Sequence, residues 1–197
     1  MDTAHRQAQV RATFPELGRL QDPELQEKIV DIWVKLWEEG GWALLDECPF
    51  FSKIPRFSLV AHVRHVTANA ISLAESLREY CGVESDMDTV IALGLLHDVS
   101  KLVEYERQED GFAKSVIGQT LPHGHVGAEE ARRAGLSDRI VHAIVMHPYH
   151  PPHIHVKPRY VEQLIIHYAD LSSADPLLFS QGLETHLEFR RFFSMGG

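Results

Sequence analysis

The sequence predicts an all-α protein, a single domain of six or more helices, and three observations carry that expectation. Apolar residues recur at three- and four-residue spacing in long stretches that open on capping residues and close on glycine or proline. No stretch alternates apolar and polar residues over several positions, as half-buried strands do. With 197 residues and 44% hydrophobic content, the chain can bury one real core but would be a squeeze for two.

Asp22 before Pro23 is a helix-start signal, after which Leu25, Ile29, Ile32, Trp33, Leu36 and Trp37 keep helical spacing until Gly40-Gly41. This is a packing helix, and residues 1–55 read as an N-terminal helical extension lying on the core. Trp33 and Trp37 cover either that core or a partner subunit, which leaves a homo-oligomer open. Trp42 to Arg56, with Pro49 and Pro55, reads as a loop leading into a second helix, capped by Ser58 and ending near Tyr80 before Gly82. A third helix is expected from near Asp88 to Tyr105, followed by a short hairpin arm at Phe112 to Ile117. A fourth begins near Gly127, and Ser137 caps a fifth, DRIVHAIVMH, which Pro148 ends. PYHPPHIHVKP is a proline-stiffened loop, and RYVEQLIIHYADLSS returns to helix. The main helical unit is thus 56–180, with 181–197 a tail or further helix.

A net charge of −9, with no Lys/Arg cluster beyond Arg132-Arg133 and Arg190-Arg191, argues against a long nucleic-acid duplex as partner, because such binding depends on phosphate neutralisation. A small anion needs only one local cationic pocket. The N-terminal MDTAHRQAQVRATF lacks the apolar core of a signal peptide, and no run approaches a membrane span, so a cytoplasmic protein is expected. Cys48 and Cys81, without CxxC spacing, read as two unpaired thiols rather than a disulfide or a thiolate zinc site.

Histidine is the outlier: there are 13, eleven of them crowded between positions 62 and 167. In GLLHDVSKLVEYE, His97 and Asp98 follow an almost wholly apolar run, and burying such groups unpaired costs about 2–7 kcal/mol for a neutral polar group and far more for a charge. At 100° per residue His62 shares a stripe with Val66, Leu73 and Leu77, whereas His65 aligns with Asn69, Ser72 and Ser76. His62 is therefore expected inside and His65 at solvent or at the rim of a site. The same test turns His147 inward with Ile140, Ala143 and Ile144, and His142 outward. Lys101 follows on the face of His97 and Asp98, and Asp170 sits in an otherwise apolar run. A lone inward histidine is usually a hydrogen-bonded core residue. Several helices aiming His and Asp at one interior instead suit a divalent ion of Fe, Mn, Zn, Co or Ni, since the set is imidazole and carboxylate without thiolate.

This pattern resembles the HD-domain superfamily of metal-dependent phosphohydrolases, whose signature is H…HD…D with two further histidines in members that hold two metals. SLVAHVRHVTANAISLA is similar to the helix of the first histidine, here His62; LLHDVSK resembles LLHDIGK, with Ser100 in the usual glycine place; HGHVGAE resembles H-x-x-x-G-A and selects His123. AIVMHP supplies His147, with Pro148 where the family often has a second histidine, and IIHYADLSS marks Asp170. The resemblance covers roughly residues 56 to 180. It implies an all-α fold, a phosphoester substrate, and one metal held by His62, His97, Asp98 and Asp170, with Asp98 bridging to a second held by His123 and His147.

Two metals bridged by Asp98 would share and activate a water, with Lys101 stabilising charge on the phosphoryl oxygens, so Asp98 and Lys101 are the catalytic candidates. Candidates for contacting the rest of a small anionic substrate are Arg64, His65, His125, His150, Lys157 and Arg159. The loop carrying His150, His153 and His155 either borders the site or only connects helices. Two other readings stand beside hydrolysis: an HD-type di-iron oxygenase, whose ligand order looks the same, and a non-catalytic nucleotide- or metal-binding module.

Overall fold

The computed structural model describes residues 2–147 and 157–188, so His150, His153 and His155 lie outside the described residues. Helix α1 (Thr3–Thr13) opens on Asp2, whose side chain accepts from the His5 amide, and packs on α2 (Pro23–Gly40). Asp22 caps α2 and Gly41 ends it in the left-handed conformation, as the Asp-Pro and Gly-Gly signals require. Trp33 and Trp37 are 0% and 1% exposed, so α2 covers this chain's own core rather than a partner. One hydrophobic cluster runs unbroken from Val10 through Trp33 and Leu96 to Ala169, so the N-terminal helices share the core of the later ones.

Helix α3 (Leu59–Cys81) is capped by Ser58, whose hydroxyl accepts from the Ala61 amide and donates to Asp46. It packs along α4 (Met87–Leu96) and α9 (Val161–Ser180), and His62 on α3 and Asp170 on α9 face the turn that follows α4. Between them come α5 (Lys101–Glu104), a hairpin of β1 (Tyr105–Gln108) and β2 (Gly111–Lys114), α6 (Val116–Thr120), α7 (His125–Arg133) and α8 (Asp138–Met146). Among the described residues no helix is long and apolar enough to cross a membrane.

Two expectations are corrected here. The third helix does not run unbroken to Tyr105: α4 stops at Leu96, and residues 97–100 form a turn. The Gly94 carbonyl accepts from the His97 ring Nδ1 at 2.9 Å, and the amides of Val99, Lys101, Leu102 and Val103 each bond three residues back. That tighter winding turns Asp98 and Lys101 onto the face His97 occupies. The hairpin also lies earlier than expected, pairing Tyr105 with Lys114 and Gln108 with Gly111, while Val116 and Ile117 enter α6.

The α3–α4 crossing depends on Gly94. A Cβ there would sit 2.6 Å from Thr67 Oγ1 and 2.8 Å from Thr67 Cα, and the second is backbone that cannot yield alone. Gly94→Ala is therefore expected to cost about 1–3 kcal/mol by overpacking, lowering Tm by roughly 2–4 °C per kcal/mol in a chain of this size. Thermal denaturation followed by circular dichroism checks it; an unchanged Tm would show that the two helices separate freely.

Candidate metal centre

Four imidazoles meet at Asp98. His62 comes from α3, His97 from the turn after α4, His123 from the loop before α7, and His147 from the end of α8; His62, His97 and His147 are at most 3% exposed. Asp98 Oδ2 is 3.3 Å from His62 Nε2 and 3.7 Å from His97 Nε2, while Oδ1 is 2.8 Å from His123 Nε2 and 3.4 Å from His147 Nε2. One carboxylate thus faces two pairs of imidazoles, one oxygen to each pair. Asp170, on α9, closes the first group with Oδ1 3.1 Å from His62 Nε2. The ligand atoms of His62, His97 and Asp170 all lie within 4.8 Å of one another, and so do those of Asp98, His123 and His147.

The far side of each ring explains why Nε2 points inward. His97 Nδ1 donates to the Gly94 carbonyl at 2.9 Å, His147 Nδ1 to the Ile144 carbonyl at 2.7 Å, and His123 Nδ1 to Glu104 Oε2 at 2.6 Å. Ser173 Oγ lies 3.2 Å from His62 Nδ1 and 2.9 Å from His65 Nδ1. With Nδ1 carrying the proton, each Nε2 presents a lone pair, yet His62 and His97 bring these atoms to 3.4 Å and His123 and His147 to 3.3 Å. Facing lone pairs repel unless a cation or proton lies between them. Hydrogen bonds made by the other ring nitrogen are what orient metal-ligating imidazoles, so the residues fit divalent ions in both groups.

The charge balance agrees. Burial pushes the His97 pKa down to about 4, leaving its ring neutral. Burial opposes charge on His62 as well, but hydrogen bonds to Asp170 and Asp98 outweigh it and raise the pKa. Burial would raise Asp98, yet Lys101 and the surrounding imidazoles hold it well below the usual carboxylate range, and Asp170 is lowered in the same way by His62. Lys101 Nζ lies 3.6 Å from Asp98 Oδ2 and 4.6 Å from the Phe50 ring centroid; burial disfavours its charge, but Asp98 more than compensates and raises its pKa.

His123 is the proton-sensitive member. Burial and Lys101 oppose its charge, but Asp98 and Glu104 on either side raise its pKa from 6.5 to about 9. Its folded pKa exceeds the unfolded one, so in protein stripped of divalent ions this stabilisation is fully present below about pH 6.5 and is lost as pH rises through about 9. A divalent ion held by His123 would have to displace that proton, so ion affinity would rise over the same interval, with proton release near pH 8. Calorimetric titration in buffers of different ionisation enthalpy reads the released proton directly. The effect should vanish in His123→Asn.

The centre also contains residues that sequence reasoning missed. Glu104, 7% exposed, accepts from His123 Nδ1 and, through Oε1, from the Gly124 amide at 3.2 Å. Gly124, at φ 81°, provides the left-handed turn that starts α7 and aims His123 back at Asp98. The signal for Glu104 was its position seven residues after His97, two helical turns along one face. Ser173, 4% exposed and three residues after Asp170, had the corresponding signal on α9. Ser100, in the place where the related motif carries glycine, uses its buried hydroxyl to accept from the Gly127 amide at 2.8 Å and so ties the turn to α7.

Of the substrate-contact candidates, His65 reaches the rim through Ser173 and Asn69, while Arg64 is exposed and pairs with Glu16 at 3.2 Å. His125, Lys157 and Arg159 are exposed and belong to neither ligand group, and His150 lies outside the described residues. His142 is half-buried with its ring edge-on to Tyr160 at 6.0 Å and belongs to neither ligand group. Cys48 is buried against the Lys101 carbonyl and burial pushes its thiol pKa up, so it offers no thiolate.

Residues 59–175 match the family model described as HD domain. A dihydroneopterin 2',3'-cyclic phosphate phosphodiesterase of Methanocaldococcus jannaschii is 33% identical over 112 residues, 57% of this chain and 44% of that protein. Ribonuclease Y of Thermoanaerobacter pseudethanolicus is 33% identical over 128 residues, 64% of this chain and 22% of that protein, and ribonuclease Y of Geobacter metallireducens is 38% identical over 96 residues, 48% of this chain and 15% of that protein. The chain therefore spans less than half the length of each of these relatives. No solved structure gives a significant match. With the family model covering more than half of its length, including all six histidine and aspartate residues of the two ligand groups, the chain belongs to the HD-domain family.

Proposed function

We propose that the protein is a metal-dependent phosphohydrolase acting on a small phosphate ester, with one divalent ion held by His62, His97, Asp98 and Asp170 and a second by Asp98, His123 and His147. The observation that carries this reading is the placement of Asp98, one oxygen towards each imidazole pair. Bound divalent ions supply Lewis acidity and lower the pKa of coordinated water towards neutrality. Asp98 fixes the spacing of the two groups, and Glu104, Ser173 and the Gly94 and Ile144 carbonyls keep the rings from rotating. Lys101, charged and 9% exposed beside Asp98, is placed to take a phosphoryl oxygen and to stabilise the negative charge that grows there. No protein nucleophile is needed.

The names of the relatives support hydrolysis of phosphate esters rather than oxygenation, since one is a cyclic phosphodiesterase and the others are ribonucleases. Protein prepared without a nickel resin should release phosphate or a nucleotide from a panel of monoesters, cyclic esters and diesters, lose that activity with a chelator and regain it with Mn²⁺, Fe²⁺, Co²⁺, Ni²⁺ or Zn²⁺. Consumption of O₂ with an organic substrate, and no phosphoester product across the panel, would overturn the reading in favour of an oxygenase.

A further inference from the structure

Next to the two ligand groups, bordered by Lys101, Glu104 and His123, lies a cavity of about 430 Å³. Much of its wall lies outside the family match: Phe50 and Phe51 precede α3, and Leu178, Thr185 and His186 come from the end of α9 and beyond. The six ligand residues lie within the family match, whereas this part of the wall lies outside it.

The two phenylalanines differ in what they are free to do. Phe50 is 6% exposed, stacks on His62 with ring centroids 3.9 Å apart and lies under the Lys101 ammonium, so it is committed to the centre. Phe51 is half-buried and lines the cavity beside it. His186 is fixed in orientation, because its backbone N and its ring Nδ1 both donate to Asp175 Oδ1, at 2.8 and 2.7 Å. Nε2 is then the ring atom left for a ligand. Flat apolar walls with polar groups at the edge match a flat ligand that has apolar faces and a hydrogen-bonding perimeter, which is the shape of a heterocycle.

Size and charge limit the ligand further. The volume falls in the lower part of the range of about 300–1,000 Å³ found for small-molecule pockets. Lys101 and Lys114 at the cavity are opposed by Glu104 and Glu184, and the chain carries −9 overall. A polynucleotide needs many phosphates neutralised along a groove, whereas a monomeric ester needs only one.

We propose that this cavity seats the planar heteroaromatic part of a low-molecular-weight phosphate ester, with Phe51 as stacking surface and the Asp175-held His186 as rim contact, so that the chain selects nucleotide-sized esters over polynucleotides. The proposal rests on the phosphohydrolase reading above. Phe51 and His186 are then specificity-determining residues, and Asp175 is a positioning residue that acts through His186.

The test compares phenylphosphonate with methylphosphonate by calorimetric binding to the metal-loaded protein, and a nucleoside 2',3'-cyclic monophosphate with a ten-nucleotide RNA by turnover. Phenylphosphonate should bind about tenfold more tightly, an advantage that largely disappears in Phe51→Ala and survives in Phe51→Tyr. His186→Ala and Asp175→Asn should raise KM for the cyclic nucleotide with little change in kcat, and the RNA should be the poorer substrate. A phenyl-to-methyl ratio that Phe51→Ala leaves unmoved, or RNA cleaved as well as the mononucleotide, overturns this inference while the phosphohydrolase reading stands. Failure to hydrolyse any ester, with neither phosphonate bound, overturns both.

Discussion

Asp98→Asn is expected to abolish retention of divalent ions and to lower phosphoester turnover by about three orders of magnitude or more, because an activated water requires the ions in place. The substitution keeps the shape of the side chain and removes its charge. Four imidazoles and Lys101 then face a neutral amide, and an amide nitrogen directed at either pair presents hydrogens where a lone pair is needed. On the proposed assignment both groups fail together, since Asp98 is the residue they would share. Elemental analysis of the purified variant, with circular dichroism to show that the helices persist, reads the effect. Full metal content with near-normal turnover would mean that Asp98 is not the bridge.

Trp33→Ala should be the most destabilising single change in the core, at about 3–5 kcal/mol against a total of roughly 5–15 for a natural domain. The ring is 0% exposed, packs on Phe14 at 4.6 Å and donates through Nε1 to the Leu95 carbonyl at 2.9 Å. Its removal opens a cavity and leaves a buried carbonyl unpaired two residues before His97. Trp33→Phe keeps most of the volume and should cost mainly the hydrogen bond, about 1–3 kcal/mol. Denaturant unfolding ranks the three proteins. If Trp33→Ala unfolds near the wild-type midpoint, the N-terminal helices are an accessory layer rather than part of the core that supports the centre.

Helices with long apolar stripes and clear caps were legible in the sequence: Asp22-Pro23 and Ser58 start α2 and α3, and Gly41 and Gly82 end them. The stripe argument separated His62, at 0% exposure, from the exposed His65, whereas His142, expected outward, is half-buried though outside both ligand groups. The break after Leu96 was not legible, because its cause is a histidine ring bonding the Gly94 carbonyl, and residue types alone do not reveal that competition. Reading helix through to Tyr105 also hid β1, which opens at that residue, and displaced the hairpin. Glu104 and Ser173 were passed over for a related reason. Both are ordinary polar residues in helical stretches; Glu104 reaches Nδ1 of His123 only after the turn at 97–100, and Ser173 reaches Nδ1 of His62 only through the packing of α9 on α3.

Anomalous diffraction at the absorption edge of the retained metal tests the central claim most directly. The account predicts two peaks per chain, one among the Nε2 atoms of His62 and His97 and the Asp170 carboxylate, the other among His123, His147 and Asp98 Oδ1. Crystals grown with excess divalent ion that show no peak at either place, with these side chains still gathered around Asp98, would contradict it.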